Sequence, residues 1–177
     1  MFTSLNNSNI NHSFKESIFN GLSPDGSLYY PKKINQLTDL INNITELSNQ
    51  EIGYLVMKSF TKDEIPKKDL KKIIEKTINF NFPIKKIESN IFSFELFHGP
   101  TLAFKDVGAT FLANSLEYFT KDKILNILVA TSGDTGSAAI AALNDRENIN
   151  LFVLHPHNKI SNVQRKIMTT IGSNNVY

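Results

Sequence analysis

The 177-residue chain contains no cysteine, and this absence excludes disulfides and metal sites built on thiolates. No apolar run approaches membrane-spanning length, and residues 1–7 show no charged segment followed by an apolar one. We therefore expect neither a signal peptide nor a membrane partner, and the expected location is the cytoplasm. The sequence also has no internal repeat and no low-complexity linker.

The chain also has no large excess of positive charge, since its formal net charge is only +2. No basic stripe is interleaved with aromatic residues, as is typical of a nucleic-acid surface. The densest group of lysines falls in a helical stretch whose other side is apolar, and it consists of Lys67, Lys68, Lys71 and Lys72. We interpret this group as the solvated face of a helix and expect no nucleic-acid partner.

The pattern of the chain changes near residue 82, and we divide it into residues 1–82 and residues 83–177. The length allows a small domain with part of another. The first part is predicted to hold a short helix capped by Ser13 and Glu16 and closed by Gly21, then a turn and two amphipathic helices. Its core is expected to include Phe14, Leu22, Leu55, Val56, Phe60, Ile73 and Ile74.

The second part begins with a predicted hairpin and then alternates helices with strands, which is typical of a parallel sheet in an α/β fold. Such strands need cover on both faces. The last helix carries the Ser-x-x-Gln spacing of a capping box, and Gly172 is expected to end it. The predicted order is a hairpin over 84–96, a helix from Lys105, a strand over 124–130, a helix from Gly136, a strand over 150–154 and a helix from Ser161.

Lys105 is the candidate nucleophile, since it follows a strand and the Gly99-Pro100 turn and falls in the first turn of a predicted helix. The positive end of the helix dipole opposes an ammonium group there, and Leu102, Ala103 and Phe104 are expected to desolvate it. Both effects favour a neutral amine, which can form a Schiff base. The alternative is a surface lysine on a helix, which is the commoner situation for a lone lysine.

The loop of residues 131–136 joins an apolar strand to an alanine-rich helix and is the second candidate site. Backbone amides at a helix N-terminus bind anions. A plain strand-to-helix connection is the alternative interpretation. Hydroxyl donors and glycines that permit close approach of a ligand are supplied by Thr131, Ser132, Thr135, Gly133 and Gly136.

Two common kinds of ligand site are not supported by the sequence. Asp134 would repel a phosphate bound in the loop, and no Gly-Lys-Ser/Thr sequence follows, so a nucleotide-binding P-loop is not expected. His155 and His157 are close in sequence but lack further ligands, and we expect no metal site.

The segment from Phe97 to Asp106 resembles the lysine motif of threonine synthases, which are pyridoxal-phosphate enzymes of fold type II. The run from Ala130 to Ala138 resembles the substrate and cofactor loop of the same family. The resemblance extends in order along essentially the whole chain, and its further parts are residues 13–16, 21–31, 108–112 and 159–172.

This resemblance implies an α/β fold: a small N-terminal helical or α+β domain, then the start of a three-layer parallel-sheet domain of fold type II. It also implies that Lys105 holds pyridoxal 5′-phosphate and shuttles protons, with Asp134 beside the ring hydroxyl of the cofactor. The implied substrate-binding cation near the last helix is Lys159, since the family has lysine and glycine in place of His157 and Asn158. The implied ligands of the substrate α-carboxylate are Thr131, Ser132, Gly133, Thr135 and Gly136.

The implied activity is the conversion of O-phospho-L-homoserine and water to L-threonine and phosphate. Threonine synthases are more than twice as long as this chain, so we expect an N-terminal fragment that lacks the cofactor-phosphate loop and is inactive alone. Two alternatives stay open, a related phospho-lyase that releases a keto acid and a non-catalytic remnant that persists as an unstable fragment or as an interaction module. The sequence makes no prediction about oligomeric state.

Overall fold

The computed structural model describes residues 1–120 and 123–177. The chain divides into two compact units, Met1–Ile78 and Asn79–Tyr177, and each mixes helices with short strands. Within the described ranges, none of the helices combines the length and the apolar character needed to cross a bilayer.

The first unit consists of a two-stranded sheet and a set of helices. Strands β1 and β2 pair antiparallel, with Thr3 opposite Tyr30. The elements are β1 (Phe2–Ser4), α1 (Phe14–Asn20), β2 (Tyr29–Pro31), α2 (Thr38–Asn42), a 3₁₀ turn (Ile44–Glu46), α3 (Asn49–Thr61) and α4 (Lys67–Thr77).

Local capping decides where α1 begins and ends. The Ser13 hydroxyl accepts a hydrogen bond from the Glu16 amide at 3.0 Å, and the Glu16 carboxylate accepts one from the Ser13 amide at 2.7 Å. These two bonds form a capping box, which satisfies two amides that the helix itself cannot pair. Gly21 closes the helix with a φ of 67°. The capped helix predicted from the sequence is therefore confirmed.

The core of the first unit is partly as expected. Phe14, Ile73 and Ile74 are buried, but Leu22 and Leu55 are 54% and 37% exposed, so their prediction as core residues was wrong. Leu22 follows the residue that ends α1 and so leaves the buried face of that helix. Leu55 lies on the part of α3 that lines an open pocket, away from α4. Helix α3 approaches α4 elsewhere, at Gly53, where a side chain would clash with Ile74 and Ile78.

Hydrogen bonds of the Asp25 carboxylate connect the turn before β2 to β1. Its carboxylate accepts hydrogen bonds from the Ser4 hydroxyl and from the Ser27 amide, the latter at 3.0 Å. These bonds, with that from Ser4 the strongest cause, lower the pKa of Asp25 from 3.8 to about 2. A carboxylate whose pKa is lowered by folding adds stability above about pH 4, and the contribution is lost as the pH falls toward about 2.

We therefore expect Asp25→Asn to lower the free energy of unfolding at neutral pH, with a difference from wild type that shrinks between about pH 4 and pH 2. Urea unfolding followed by circular dichroism at a series of pH values measures this difference. Asp63→Asn, at an exposed aspartate, is the control. A difference that is as large at the acid end as at neutral pH would contradict the assignment of these bonds to the carboxylate.

The second unit carries a hairpin followed by alternating helices and strands. The predicted hairpin and the predicted parallel strands with a helix between them are confirmed. The elements are β3 (Ile84–Glu88), β4 (Ile91–Phe94), α5 (Lys105–Phe119), β5 (Leu125–Ala130), α6 (Asp134–Leu143), β6 (Ile149–Leu154) and α7 (Asn162–Thr169).

The parallel sheet of β5 and β6 carries apolar side chains on both faces but is covered on one. Ile127 lies opposite Leu151 on the covered face, where β6 and β5 contact α6. Leu128 lies opposite Phe152 on the other face, and Leu154 follows on the same side. All three side chains of that face are exposed. The two-sided apolar pattern predicted from the sequence is thus present, with one side open to solvent.

The end of the chain adds to this sheet at the second edge of β6. The Leu151 amide donates to the Asn175 carbonyl at 2.8 Å, and the Tyr177 amide donates to the Leu151 carbonyl at 2.8 Å. These bonds form a parallel bridge between Leu151 and Val176. The predicted stop of α7 at Gly172 was wrong, because the helix already ends at Thr169.

Candidate active site

Lys105 is the first residue of α5, in the first helical turn as predicted. Its Nζ lies 4.0 Å from Oδ2 of Asp134, the first residue of α6. It also lies 4.5 Å from the centre of the Phe104 ring, a distance at which a cation is attracted to the ring face. The fold therefore brings the two stretches singled out by the sequence to one place, at the start of two helices.

The expected desolvation of Lys105 by its neighbours was wrong for Leu102, which is 75% exposed. Phe104 is itself 63% exposed but covers one side of the amine with its ring, and the Lys105 side chain remains 33% exposed. Leu102 has a φ of 58°, a left-handed conformation that costs energy in a residue with a side chain and turns the chain sharply before α5. This turn directs Leu102 to solvent, so it does not enclose the amine.

Asp106 fixes the turn that delivers Lys105. Its side chain is buried, and its carboxylate accepts hydrogen bonds from the amide and the hydroxyl of Thr101, at 2.9 and 2.5 Å. Gly99 leaves room for it, since a Cβ there would come 2.5 Å from the Asp106 carboxylate. A buried carboxylate is stable only with partners of this kind. Sequence reasoning missed this role, because the spacing shows only that Asp106 follows the lysine.

The Thr131 side chain stabilises the loop before α6 through hydrogen bonds to nearby backbone amides. Its hydroxyl oxygen accepts hydrogen bonds from the amides of Gly133 and Gly136, at 3.1 and 3.0 Å. Its own amide donates to the Leu154 carbonyl at 2.9 Å and so continues the ladder of the parallel sheet. In this structure the Thr131 oxygen therefore accepts hydrogen bonds from the loop itself. The first amides of α6, at Asp134 and Thr135, have no hydrogen-bond partner within the helix.

We expect Thr131→Val to reduce the free energy of unfolding by about 1–3 kcal/mol, because it leaves two amides of buried glycines without their acceptor. Thr131→Ser keeps the hydroxyl and should recover most of the loss, while Ser132→Ala, at an exposed side chain of the same loop, should change stability by less than about 0.5 kcal/mol. Urea unfolding of the three variants is the measurement. Equal losses for Thr131→Val and Thr131→Ser would show that the hydroxyl does not hold the loop.

The two glycines of the loop make room for side chains of α7. A Cβ at Gly133, whose φ is 152°, would clash with the Gln164 side chain, and one at Gly136 would lie 2.8 Å from the Met168 sulfur. The sequence predicted that these glycines permit close approach of a ligand. In the structure the space beside them is taken by Gln164 and Met168, which lie one helical turn apart on the same face of α7.

A polar pocket of about 250 Å³ opens between the starts of α5 and α6. Lys105, Ser132, Asp134 and Thr135 line it together with Gln164, and Thr131 also contributes to the wall. Lys105 and Thr135 also line an apolar groove of about 480 Å³ between α5, β5 and α6. Most of the site residues predicted from the sequence thus meet in one pocket.

Lys159 is not among the residues that line this pocket. It is exposed in the turn between β6 and α7, and its amide donates to the Pro156 carbonyl at 3.4 Å. No group of three or more potential metal ligands is found in the described part of the chain, which includes His155 and His157.

The pocket residues match one end of pyridoxal phosphate. The Lys105 amine can react with the aldehyde of the cofactor. The hydroxyls of Ser132 and Thr135, beside the first amides of α6, can donate hydrogen bonds to a carboxylate. Among the described residues that line the pocket, Lys105 is the one cationic side chain and Asp134 is an anion. The donor set therefore fits the reactive end of the cofactor and an amino-acid substrate, and offers no second cation for the cofactor phosphate.

Comparison with known proteins gives matches to threonine synthases. Residues 1–78 match the family described as Threonine synthase N terminus. The threonine synthase of Haemophilus influenzae is 40% identical over 161 residues, which cover 91% of this chain and 38% of that protein. The threonine synthase of Escherichia coli is 37% identical over 164 residues, which cover 92% of this chain and 38% of that protein. The chain spans about two-fifths of the length of these relatives.

Solved structures agree with the sequence matches. The crystal structure of threonine synthase from Escherichia coli superposes with a TM-score of 0.90 at 35% identity, over 99% of this chain and 41% of that chain. The crystal structure of PLP-bound threonine synthase from Brucella melitensis superposes with a TM-score of 0.91 at 36% identity, over 99% of this chain and 40% of that chain. The expected mixed α/β fold of this family is confirmed over the N-terminal portion that the chain represents.

Proposed function

This chain belongs to the threonine synthase family and corresponds to the N-terminal portion of its members, and on that premise we propose that it supplies the lysine-bearing part of a pyridoxal-phosphate-dependent threonine synthase site. The proposed reaction converts O-phospho-L-homoserine and water to L-threonine and phosphate. We assign residues 1–82 to the family's N-terminal domain and residues 83–177 to part of the catalytic domain. The proposed place of action is the cytoplasm.

One observation supports this proposal above the others. The Lys105 amine lies 4.0 Å from the Asp134 carboxylate in a pocket whose remaining wall includes the hydroxyl-bearing residues Ser132 and Thr135. An amine that faces a carboxylate and an anion-binding helix start is suited to hold an aldehyde cofactor and to move protons beside an amino acid.

Each residue has a separate task in the proposed reaction. Lys105 holds the cofactor through Nζ and, once released, takes up and returns protons at the substrate carbons. Pyridoxal phosphate, when bound, supplies the electron sink for the carbanions of the substrate. Asp134 faces the Lys105 amine and provides a fixed negative charge beside it. Ser132 and Thr135, with the first amides of α6, bind and orient the substrate carboxylate.

A hybrid enzyme tests the proposal. Residues 1–177 replace the corresponding part of the threonine synthase of Escherichia coli, and purified hybrid is incubated with pyridoxal phosphate and O-phospho-L-homoserine. We expect threonine and phosphate to form in equal amounts. A hybrid that folds, as judged by circular dichroism, and releases phosphate with a keto acid in place of threonine would overturn the assignment in favour of a phospho-lyase.

A further inference from the structure

Gln164 connects the end of the fold to the candidate active site. Its Nε2 donates a hydrogen bond to Oδ1 of Asp134 at 3.1 Å, across 30 residues of sequence. The other carboxylate oxygen of Asp134, Oδ2, is the one that lies 4.0 Å from Nζ of Lys105. The side chain of Gln164 is half-buried and lines the same polar pocket.

The orientation of the Gln164 side-chain amide is fixed by hydrogen bonds to its oxygen, Oε1. Its Oε1 accepts hydrogen bonds from the amide and the hydroxyl of Ser161, at 3.4 and 3.2 Å, and the Gln164 amide donates to the Ser161 hydroxyl at 3.1 Å. This capping box determines which atom of the side-chain amide points at Asp134. Gly133 keeps the path open, because any side chain there would clash with Gln164.

We propose that Gln164 is a positioning residue of the site, which holds the Asp134 carboxylate back from Lys105 so that the lysine amine stays available as a nucleophile. The inference deepens the proposed function, since it rests on the role assigned to Lys105. A direct ion pair of lysine and carboxylate has an N–O distance of about 2.8 Å. The 4.0 Å separation between Nζ of Lys105 and Oδ2 of Asp134 is longer than that, and Gln164 binds the other carboxylate oxygen, Oδ1.

Releasing the carboxylate has a defined chemical consequence. Without the Gln164 donor, Asp134 is free to close onto Lys105 and to form a direct ion pair with it. A lysine held in a direct ion pair is less available as a nucleophile. Gln164 therefore acts on Lys105 through Asp134, with no contact of its own to the lysine required.

The sequence offers variants that separate this role from helix capping. Gln164→Glu keeps the capping box, because glutamate serves at this position as well as glutamine, but it cannot donate to Asp134 and repels it. Gln164→Met keeps the length of the side chain and removes the donor without adding charge. Ser161→Ala removes the hydroxyl and so weakens the cap, while the Ser161 amide still donates to Oε1 of Gln164 and keeps its Nε2 directed at Asp134.

The measurement is the rate at which Lys105 in the full chain is acetylated at neutral pH by an N-hydroxysuccinimide ester, followed by peptide mass spectrometry. The exposed Lys85 on β3 is the internal reference. We expect Gln164→Glu and Gln164→Met to slow labelling of Lys105 roughly threefold or more relative to Lys85. Ser161→Ala should lower the thermal midpoint and leave the labelling ratio at the wild-type value.

A second background tests the route through Asp134. With Asp134→Asn already present, Gln164→Met should leave the labelling of Lys105 unchanged, since no carboxylate is left to release. Wild-type labelling in both Gln164 variants, equal slowing by Ser161→Ala, or an effect of Gln164→Met that persists with Asp134→Asn would each overturn the proposal. The probe needs neither cofactor nor substrate, so these results are independent of whether the proposed enzymatic function holds.

Discussion

Replacing Lys105 with alanine in the hybrid enzyme is expected to lower the rate of threonine formation by at least about 1000-fold, because the variant loses the group that holds the cofactor and moves protons. The effect should fall on turnover, since the residues that bind the substrate carboxylate are unchanged. Initial rates of phosphate and threonine release under saturating substrate measure it.

The matched control is Lys85→Ala, which removes a lysine of the same unit from an exposed position on β3. It should retain the rate of the hybrid. A Lys105→Ala hybrid that keeps more than about one-tenth of the activity would show that another amine carries the chemistry, since loss of a positioned acid–base group costs at least about 100-fold.

The two faces of the parallel sheet are expected to respond very differently to the same substitution. Leu151 is fully buried on the covered face, and Leu151→Ala should reduce the free energy of unfolding by about 2–5 kcal/mol through lost burial and the cavity left behind. Leu128 on the adjacent strand is 67% exposed, and Leu128→Ala should cost less than about 1 kcal/mol.

Urea unfolding of both variants at two protein concentrations checks this contrast. The substitution and the strand environment are matched, so the difference reports which face of the sheet is covered. Equal costs at both concentrations would contradict the observed burial. A cost of Leu128→Ala that grows with concentration would show that the open face of the chain is covered by self-association.

The parts of the fold that depend on neighbouring residues in sequence were predictable. The capping boxes of Ser13 with Glu16 and of Ser161 with Gln164 depend on spacing alone, and both form. The position of Lys105 at the start of α5 followed from a turn signal before an apolar period.

The parts that depend on packing between distant segments were not predictable. Nothing in the sequence around Gln164 shows that its side chain reaches Asp134, 30 residues away. The same holds for Leu22, whose apolar character suggested burial, while its place after the end of α1 left it exposed. The use of the Thr131 oxygen as an acceptor for the loop was not foreseen either, while its donation to a ligand stays a prediction.

Chemical trapping of the cofactor on its lysine is the most direct test of the role proposed for Lys105. The hybrid is mixed with limiting pyridoxal phosphate and reduced with borohydride, which converts an adduct of lysine and aldehyde to a stable secondary amine. Digestion and mass spectrometry then identify the modified lysine. We predict that the cofactor mass lies on the peptide containing Lys105, disappears in Lys105→Ala and persists in Lys85→Ala. A label that lies mainly on another lysine, or that survives in Lys105→Ala, would contradict the assignment of this residue to the cofactor.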